Sequence, residues 1–135
     1  MGSNQSTLTP NNPVGQFIRE IFDPSNESVT DECTIYVLRC QGGKYYVGRT
    51  ARKMSFRYKE HQMGKGSEWT KMYPPIEIYD EHTGDKWVEL TTFYRIMEKF
   101  GMDNVRGATY CMIKLSDEDR VQLNNKIKGV NRFML

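Results

Sequence analysis

The sequence holds three cysteines in 135 residues and no Cys-x-x-Cys pair, so zinc-finger spacing is absent, as is the dense, even cysteine framework of a small secreted scaffold. Long apolar runs are missing too. No segment approaches the ~20 residues that a membrane helix needs, and no stretch at the start reads as a secretory signal. Membrane association is therefore not expected. Only two histidines are present, which makes a metal site assembled from Cys33, Cys40, Cys111 and the histidines a poor prospect. Internal repeats and low-complexity tracts are absent. With 38% hydrophobic and 12% aromatic residues, the composition is that of one globular domain with modest tails, a size that buries roughly two-thirds of its unfolded surface without disulfide or metal. Reduced thiols in or near a core fit an intracellular setting, cytoplasm or nucleus.

The net charge is only +2, but it is unevenly spread. Lys44 to Lys71 carries eight cations against Glu60 and Glu68, whereas residues 1–30 carry Arg19 against Glu20, Asp23 and Glu27. A basic middle segment on a near-neutral chain is consistent with a polyanion-binding face, and equally with a solvated helix face. Residues 1–30 form a polar extension rich in Ser, Asn, Thr and Pro. Within it, Val14, Phe17, Ile18, Ile21 and Phe22 have helical spacing. Met1-Gly2-Ser3-Asn4-Gln5-Ser6 matches the short N-myristoylation pattern, and also reads as an ordinary polar start.

The β-branched and aromatic run Cys33–Cys40 predicts a strand. A turn at Gln41-Gly42-Gly43-Lys44 leads into a partner strand over Tyr45–Arg49, in which Gly48 marks a bulge or a close backbone approach. A basic helix is expected over Met54–Met63, closed by Gly64-Lys65-Gly66-Ser67. Ile76–Tyr79 reads as a third strand and Asp80–Asp85 as a polar turn. Lys86–Phe100 reads as the best helix, with Trp87, Leu90, Tyr94 and Met97 on one stripe. Ala108–Leu115 looks extended and mostly buried. Ser116, followed by three acids, caps a final helix to about Lys128. These elements predict an α/β (α+β) fold, a small, mostly antiparallel three-stranded sheet flanked by helices. The expected organisation is an extension over 1–30, a central domain over 31–115, and a C-terminal helix over 116–135 packing on it.

Five side chains stand out against this frame. Tyr36 and Tyr46 lie ten residues apart on the hairpin, in Thr34-Ile35-Tyr36 and Tyr46-Val47-Gly48. Arg57 and His61 share a helix face at i and i+4. Glu89 lies on the long helix, ahead of Asn104-Val105-Arg106-Gly107. Singly, each has an ordinary reading as a packing or surface residue. Together they resemble the GIY-YIG nuclease superfamily, over about Thr34 to Tyr110, and within it a branch of largely uncharacterised viral and microbial proteins that carries the same Val-Arg-Gly ending after its Glu-bearing helix.

The resemblance implies a metal-dependent DNA endonuclease, a phosphodiester hydrolase. Tyr36 and Tyr46 stand where the family has its motif tyrosines, which hold or deprotonate the attacking water. Gly48 stands where the chain approaches the substrate. Arg57 falls on the arginine that grips the scissile phosphate, and His61 on the position near the nucleophile. Glu89 matches the carboxylate that binds a divalent metal, Mg²⁺ or Mn²⁺. Asn104 matches an asparagine seen in some members. Thr34 replaces the first-motif glycine.

The chemistry fits these roles. A guanidinium gives a bidentate, permanently charged phosphate grip. A phenol with a pKa near 10 would be moved toward useful base strength by Arg57 and a metal. One carboxylate with several waters suits Mg²⁺. Glu98, Asp85 and Glu81 compete with Glu89 for the metal. Lys44, Arg49 and Lys65 are candidate substrate contacts, and Trp69 suits either stacking on an unpaired base or the core. No separate DNA-binding element is visible, which leaves structure selectivity, weak specificity, or dependence on a partner protein or homodimer. The alternative is a catalytically silent module of the same shape that binds nucleic acid or protein.

Overall fold

The computed structural model describes residues 32–134, with side chains described to residue 129. The expected helix over Val14–Phe22, the Gly2 acylation pattern and the extension over 1–30 lie outside the described residues.

Strand β1 (Cys33–Cys40) and strand β2 (Lys44–Thr50) form an antiparallel hairpin joined by a 3₁₀ turn over Gln41–Gly43. Gly42 and Gly43 both take positive φ there, as the turn requires. Helix α1 (Met54–Gln62) and the short helix α2 (Glu68–Met72) follow. Strand β3 (Pro75–Gly84) pairs antiparallel with β1, and helix α3 (Lys86–Phe100) follows it. Strand β4 (Val105–Gly107) pairs parallel with β2, and helix α4 (Asp117–Met134) ends the described chain. The sheet order is β3-β1-β2-β4.

The sheet therefore has four strands, not the expected three. The additional strand is the Val105-Arg106-Gly107 segment, too short for any sequence periodicity to announce. It is held by Gly107, whose φ is 135° and where a Cβ would stand 1.9 Å from the Val47 carbonyl oxygen. β3 is also longer than expected and runs through the segment read as a polar turn. It is the outer strand, exposed along most of its length, so its residues do not alternate between apolar and polar. Ala108–Leu115 is not a strand. It turns at once, with Tyr110 N–H donating to Gly107 O and Gly107 N–H to Tyr110 O, and the loop beyond is fixed by Arg106. That guanidinium is 2% exposed, donates to the carbonyls of Met102, Val105, Met112 and Ile113, and lies 4.6 Å over the Trp69 ring.

Alternation along β1 and β2 divides the interior into two cores. Val37, Tyr45 and Val47 face α3 and α4, packing on Phe93, Tyr94, Met97 and Leu123. Tyr36, Leu38, Cys40 and Tyr46 face α1 and α2, with Trp69 at their centre. α3 begins where Asp85 accepts from the N–H groups of Trp87 and Val88, and ends at Gly101. Trp87, expected in the apolar stripe, is 56% exposed instead. Among the described residues no helix is long and apolar enough to cross a membrane.

Candidate active site

The register of the hairpin builds the site. Tyr36 on β1 pairs with Gly48 on β2, and its ring lies across that glycine. A Cβ at Gly48 would stand 2.4 Å from the Tyr36 hydroxyl. The β1–β2 register runs unbroken past Gly48. The glycine is therefore a close approach rather than a bulge, and what approaches it is the Tyr36 phenol.

α1 then delivers two partners to the same oxygen. Arg57 Nε donates to Tyr36 Oη at 3.0 Å, and His61 Nε2 lies 2.9 Å from it. The Tyr46 ring is 4.8 Å from the His61 ring and 6.3 Å from that of Tyr36. Behind the histidine, Nδ1 meets Thr70 Oγ1 at 2.8 Å, and Thr70 is in turn placed by Ser67, which caps α2. The loop at Gly66 closes over the imidazole so tightly that a Cβ there would come within 2.1 Å of Nδ1. Arg57 is steadied by Glu60 Oε1 at 2.9 Å and by the Gly66 carbonyl at 3.3 Å.

Donor accounting fixes the proton positions. Arg57 can only donate, so among the described partners the Tyr36 O–H has one acceptor, His61 Nε2. His61 is therefore the Nδ1–H tautomer, donating to Thr70 Oγ1, and the Thr70 hydroxyl has Ser67 O and Oγ as acceptors. Tyr36, His61 and Thr70 are all wholly buried. Burial, reinforced by the Arg57 charge, pushes the His61 pKa down to about 4, so the imidazole is neutral at neutral pH with its free lone pair on the Tyr36 proton.

Arg57 by itself does not give the phenol the lowered pKa that Arg57 and a metal together are expected to give. Burial raises Tyr36, and the neighbouring Arg57 offsets this only in part. Burial likewise raises Tyr46, helped by Tyr36 and Cys111. In a site closed to water the cost of forming phenolate exceeds what one guanidinium returns. Glu60 goes the other way: hydrogen bonds from Arg52 and Arg57 hold its carboxyl down at about 2.

Glu89 stands in the first turn of α3, half-buried, and Arg49 Nε donates to its Oε1 at 3.2 Å. Its charge acts to raise both Tyr36 and Tyr46, and its Arg49 contact sets the carboxylate at the end of β2 that leads into α1. Among the described residues no three His, Cys, Asp or Glu side chains cluster as a ready metal cage.

The remaining candidates separate. Lys44 and Asn104 bond to each other, Nζ to Oδ1 at 2.9 Å. They sit four residues along β2 from Gly48, roughly 13 Å at the rise of a strand. Trp69 is 2% exposed, with its indole N–H on the Tyr45 carbonyl at 2.9 Å. It is a core residue and has no free face for a base. Lys65 is exposed on the loop that covers His61. Thr70, Ser67, Gly66 and Glu60 complete the site and were not singled out for it in the sequence. Ser67 and Thr70, three residues apart, carry a helix-cap spacing that points to their pairing but not to His61.

Compared with curated proteins, the chain is similar to several UPF0213 proteins. It is 35% identical over 51 residues to one from Cupriavidus pinatubonensis, covering 38% of this chain and 56% of that protein. It is 33% identical over 48 residues to one from Xanthomonas campestris pv. campestris, covering 36% and 46%. It is 32% identical over 53 residues to one from Staphylococcus epidermidis, covering 39% and 63%. The matched stretch thus spans about half the length of these relatives. No family model matches the chain, and no solved structure does.

Proposed function

We propose that the chain is a GIY-YIG-type endonuclease that hydrolyses phosphodiester bonds in DNA, with Tyr36, Tyr46, Arg57, His61 and Glu89 as its working groups. The observation that carries this reading is the buried Tyr36 hydroxyl held between a donor-only guanidinium and a neutral imidazole.

The geometry supports a division of labour. Arg57 leaves the Tyr36 oxygen for the phosphate, where its planar fork meets two non-bridging oxygens. Its departure gives water access to Tyr36. The phenol oxygen accepts the proton of the attacking water while its own proton passes to His61 Nε2, so no free phenolate has to form in the buried site. Glu60 receives Arg57 back when product leaves. Tyr46, at the edge of the same group, orients the water.

A single carboxylate suits a hard cation that keeps most of its water. Glu89 would hold Mg²⁺ or Mn²⁺ on exchanging its Arg49 contact for the ion. When bound, the metal supplies charge stabilisation at the leaving oxygen.

The deciding experiment is cleavage of plasmid and branched DNA by the purified chain with Mn²⁺. Nicking that EDTA stops, and that Arg57→Ala and Glu89→Ala each abolish, supports the reading. Unchanged cutting by either variant removes that residue from it. The closure of Tyr36 and His61 to solvent favours one alternative, a silent binding module. In that case DNA is bound and never cut with either metal.

A further inference from the structure

We propose that Phe56 and Trp87 form a pair of stacking platforms for unpaired bases on either side of the site, so that the preferred substrate carries single-stranded nucleotides next to the scissile bond. The proposal rests on the nuclease reading for its scissile bond, but not for the binding itself.

Both residues break the pattern of the helices that carry them. Phe56 lies in the first turn of α1 and is 59% exposed, while Trp87 lies in the first turn of α3 and is 56% exposed. A solitary exposed aromatic needs no explanation. Two of them in matching places do. Thr34 on β1 pairs with Thr50 at the end of β2 and with Thr83 near the end of β3. α1 starts four residues beyond Thr50, and α3 starts two beyond Gly84. Both helices therefore begin at the same end of the sheet. α1 lies over the face with Tyr36 and Tyr46, and α3 over the face with Tyr45 and Val47. Arg57 follows Phe56 by one residue, and Glu89 follows Trp87 by two. Each working group at this end thus shares the first turn of its helix with an exposed ring.

The flanking charge selects the occupant. Lys53 is exposed just ahead of Phe56, and Arg52, exposed beside it, is paired with Glu60. Lys86 Nζ lies 5.8 Å over the Trp87 ring. Two acids lie two residues from Trp87: the Asp85 carboxylate is engaged by the N–H groups of Trp87 and Val88, and the Glu89 carboxylate by Arg49. Flat apolar faces beside cations match a nucleic-acid strand with bases turned out, whose π-faces stack on the rings while its phosphates meet the cations. In a duplex those faces are already stacked on one another and are not offered.

The test uses the full chain in EDTA, so that binding is read without cutting. The probes are labelled 20-nucleotide oligo(dT), oligo(U) and a DNA duplex of equal length. Trp87 is the exposed one of the two tryptophans, so the part of the emission change that Trp87→Phe removes reports contact at that ring. The expected results are tighter binding of single strand than of duplex, quenching of Trp87 by the single strand, and roughly tenfold weaker single-strand binding for Phe56→Ala or Trp87→Ala, with duplex binding changed by less than about twofold. Trp87→Phe, which keeps a ring, should restore most of the affinity. Preference for oligo(dT) or for oligo(U) identifies the sugar, and either one supports stacking. Alanine variants that bind single strand as well as the wild-type chain, or that lose single strand and duplex equally, overturn the proposal even if the protein cuts DNA. A chain that shows the ring-dependent preference yet never cuts with Mn²⁺ keeps the platforms and loses the nuclease reading.

Discussion

The Tyr36 hydroxyl and His61 Nε2 stand 2.9 Å apart with both side chains wholly buried. Since Arg57 approaches the same oxygen as a donor, the proton between them belongs to tyrosine at rest and has one place to go. Tyr36→Phe keeps the ring over Gly48 and removes the hydroxyl, both the proton and the oxygen that Arg57 meets. Cleavage should fall by about 10²–10⁴-fold, the usual worth of a general base, while His61 Nε2 and Arg57 Nε lose this partner at a cost of about 1–3 kcal/mol. Circular dichroism should show that this loss leaves the chain folded. A Tyr36→Phe chain that nicks DNA at the wild-type rate would show that the proton plays no part.

Thr70 acts one step further back. Thr70→Val preserves shape but leaves His61 Nδ1–H without an acceptor in a buried place, a loss of about 1–3 kcal/mol. The proton should also redistribute between the two ring nitrogens. Nitrogen NMR of labelled histidine reads this directly: Nδ1 protonated in the wild-type chain and a tautomer mixture in the variant.

Acid should expose His61 in a defined window. Its folded pKa, about 4, lies below the ordinary 6.5. Above pH 6.5 neither folded nor unfolded histidine is charged, and the full stability is present. As pH falls through that value the unfolded chain takes up a proton that the folded chain refuses, so stability declines, by at most ~1.4 kcal/mol per pH unit, until the folded histidine titrates near 4. Glu60 adds a second, lower window: its stabilisation is present above 4.5 and fades as pH falls toward 2. Denaturant titrations at stepped pH should show both slopes in the wild-type chain and only the lower one in His61→Phe.

Gly48→Ala tests the packing of the phenol. The new methyl group would occupy the place of the Tyr36 hydroxyl, so the ring must tilt away from Arg57 and His61. Overpacking of this kind costs about 1–3 kcal/mol. Activity should fall far more than that loss of stability accounts for, and circular dichroism at assay temperature should show the variant still folded.

Arg106→Met asks what the Val-Arg-Gly segment is for. Its guanidinium serves four carbonyls and stacks on Trp69, with no contact to the Tyr36 group. Loss of those donors should destabilise the chain by about 2–4 kcal/mol, seen as a lower melting temperature. Below that temperature, cleavage at saturating DNA should stay within about threefold of the wild-type rate.

The same residues show where sequence reading succeeds and where it stops. β1 and α3 match their expected bounds because each carries its own signal, β-branched residues in one and a capped 3.6-residue stripe in the other. β4 carries no signal of its own, because three residues have no period, and it is a strand through its pairing with Tyr45, Tyr46 and Val47. The outer part of β3 reads as a turn because an edge strand has no face that must be apolar. At the site, the two tyrosines, Arg57, His61 and Glu89 could be named from spacing and resemblance. Thr70 and Gly66 could not, since their roles exist only once α2 and its loop fold back over His61. Nor could the raised phenol pKa values be read, because they measure depth beneath the surface and not the identity of neighbours.

One side of the sheet is filled largely by Tyr36, Tyr46 and Trp69 around Leu38 and Cys40, so two of the groups assigned to chemistry are also the mortar of the wall behind them. On the nuclease reading, a lineage descending from this chain could not shed cleavage by trimming those rings without hollowing the molecule. The inexpensive road to inactivity runs through phenylalanine, which keeps the volume and drops one oxygen. A relative that carries Phe at both places, with His61 left intact, would thus mark a sheet that outlived its reaction.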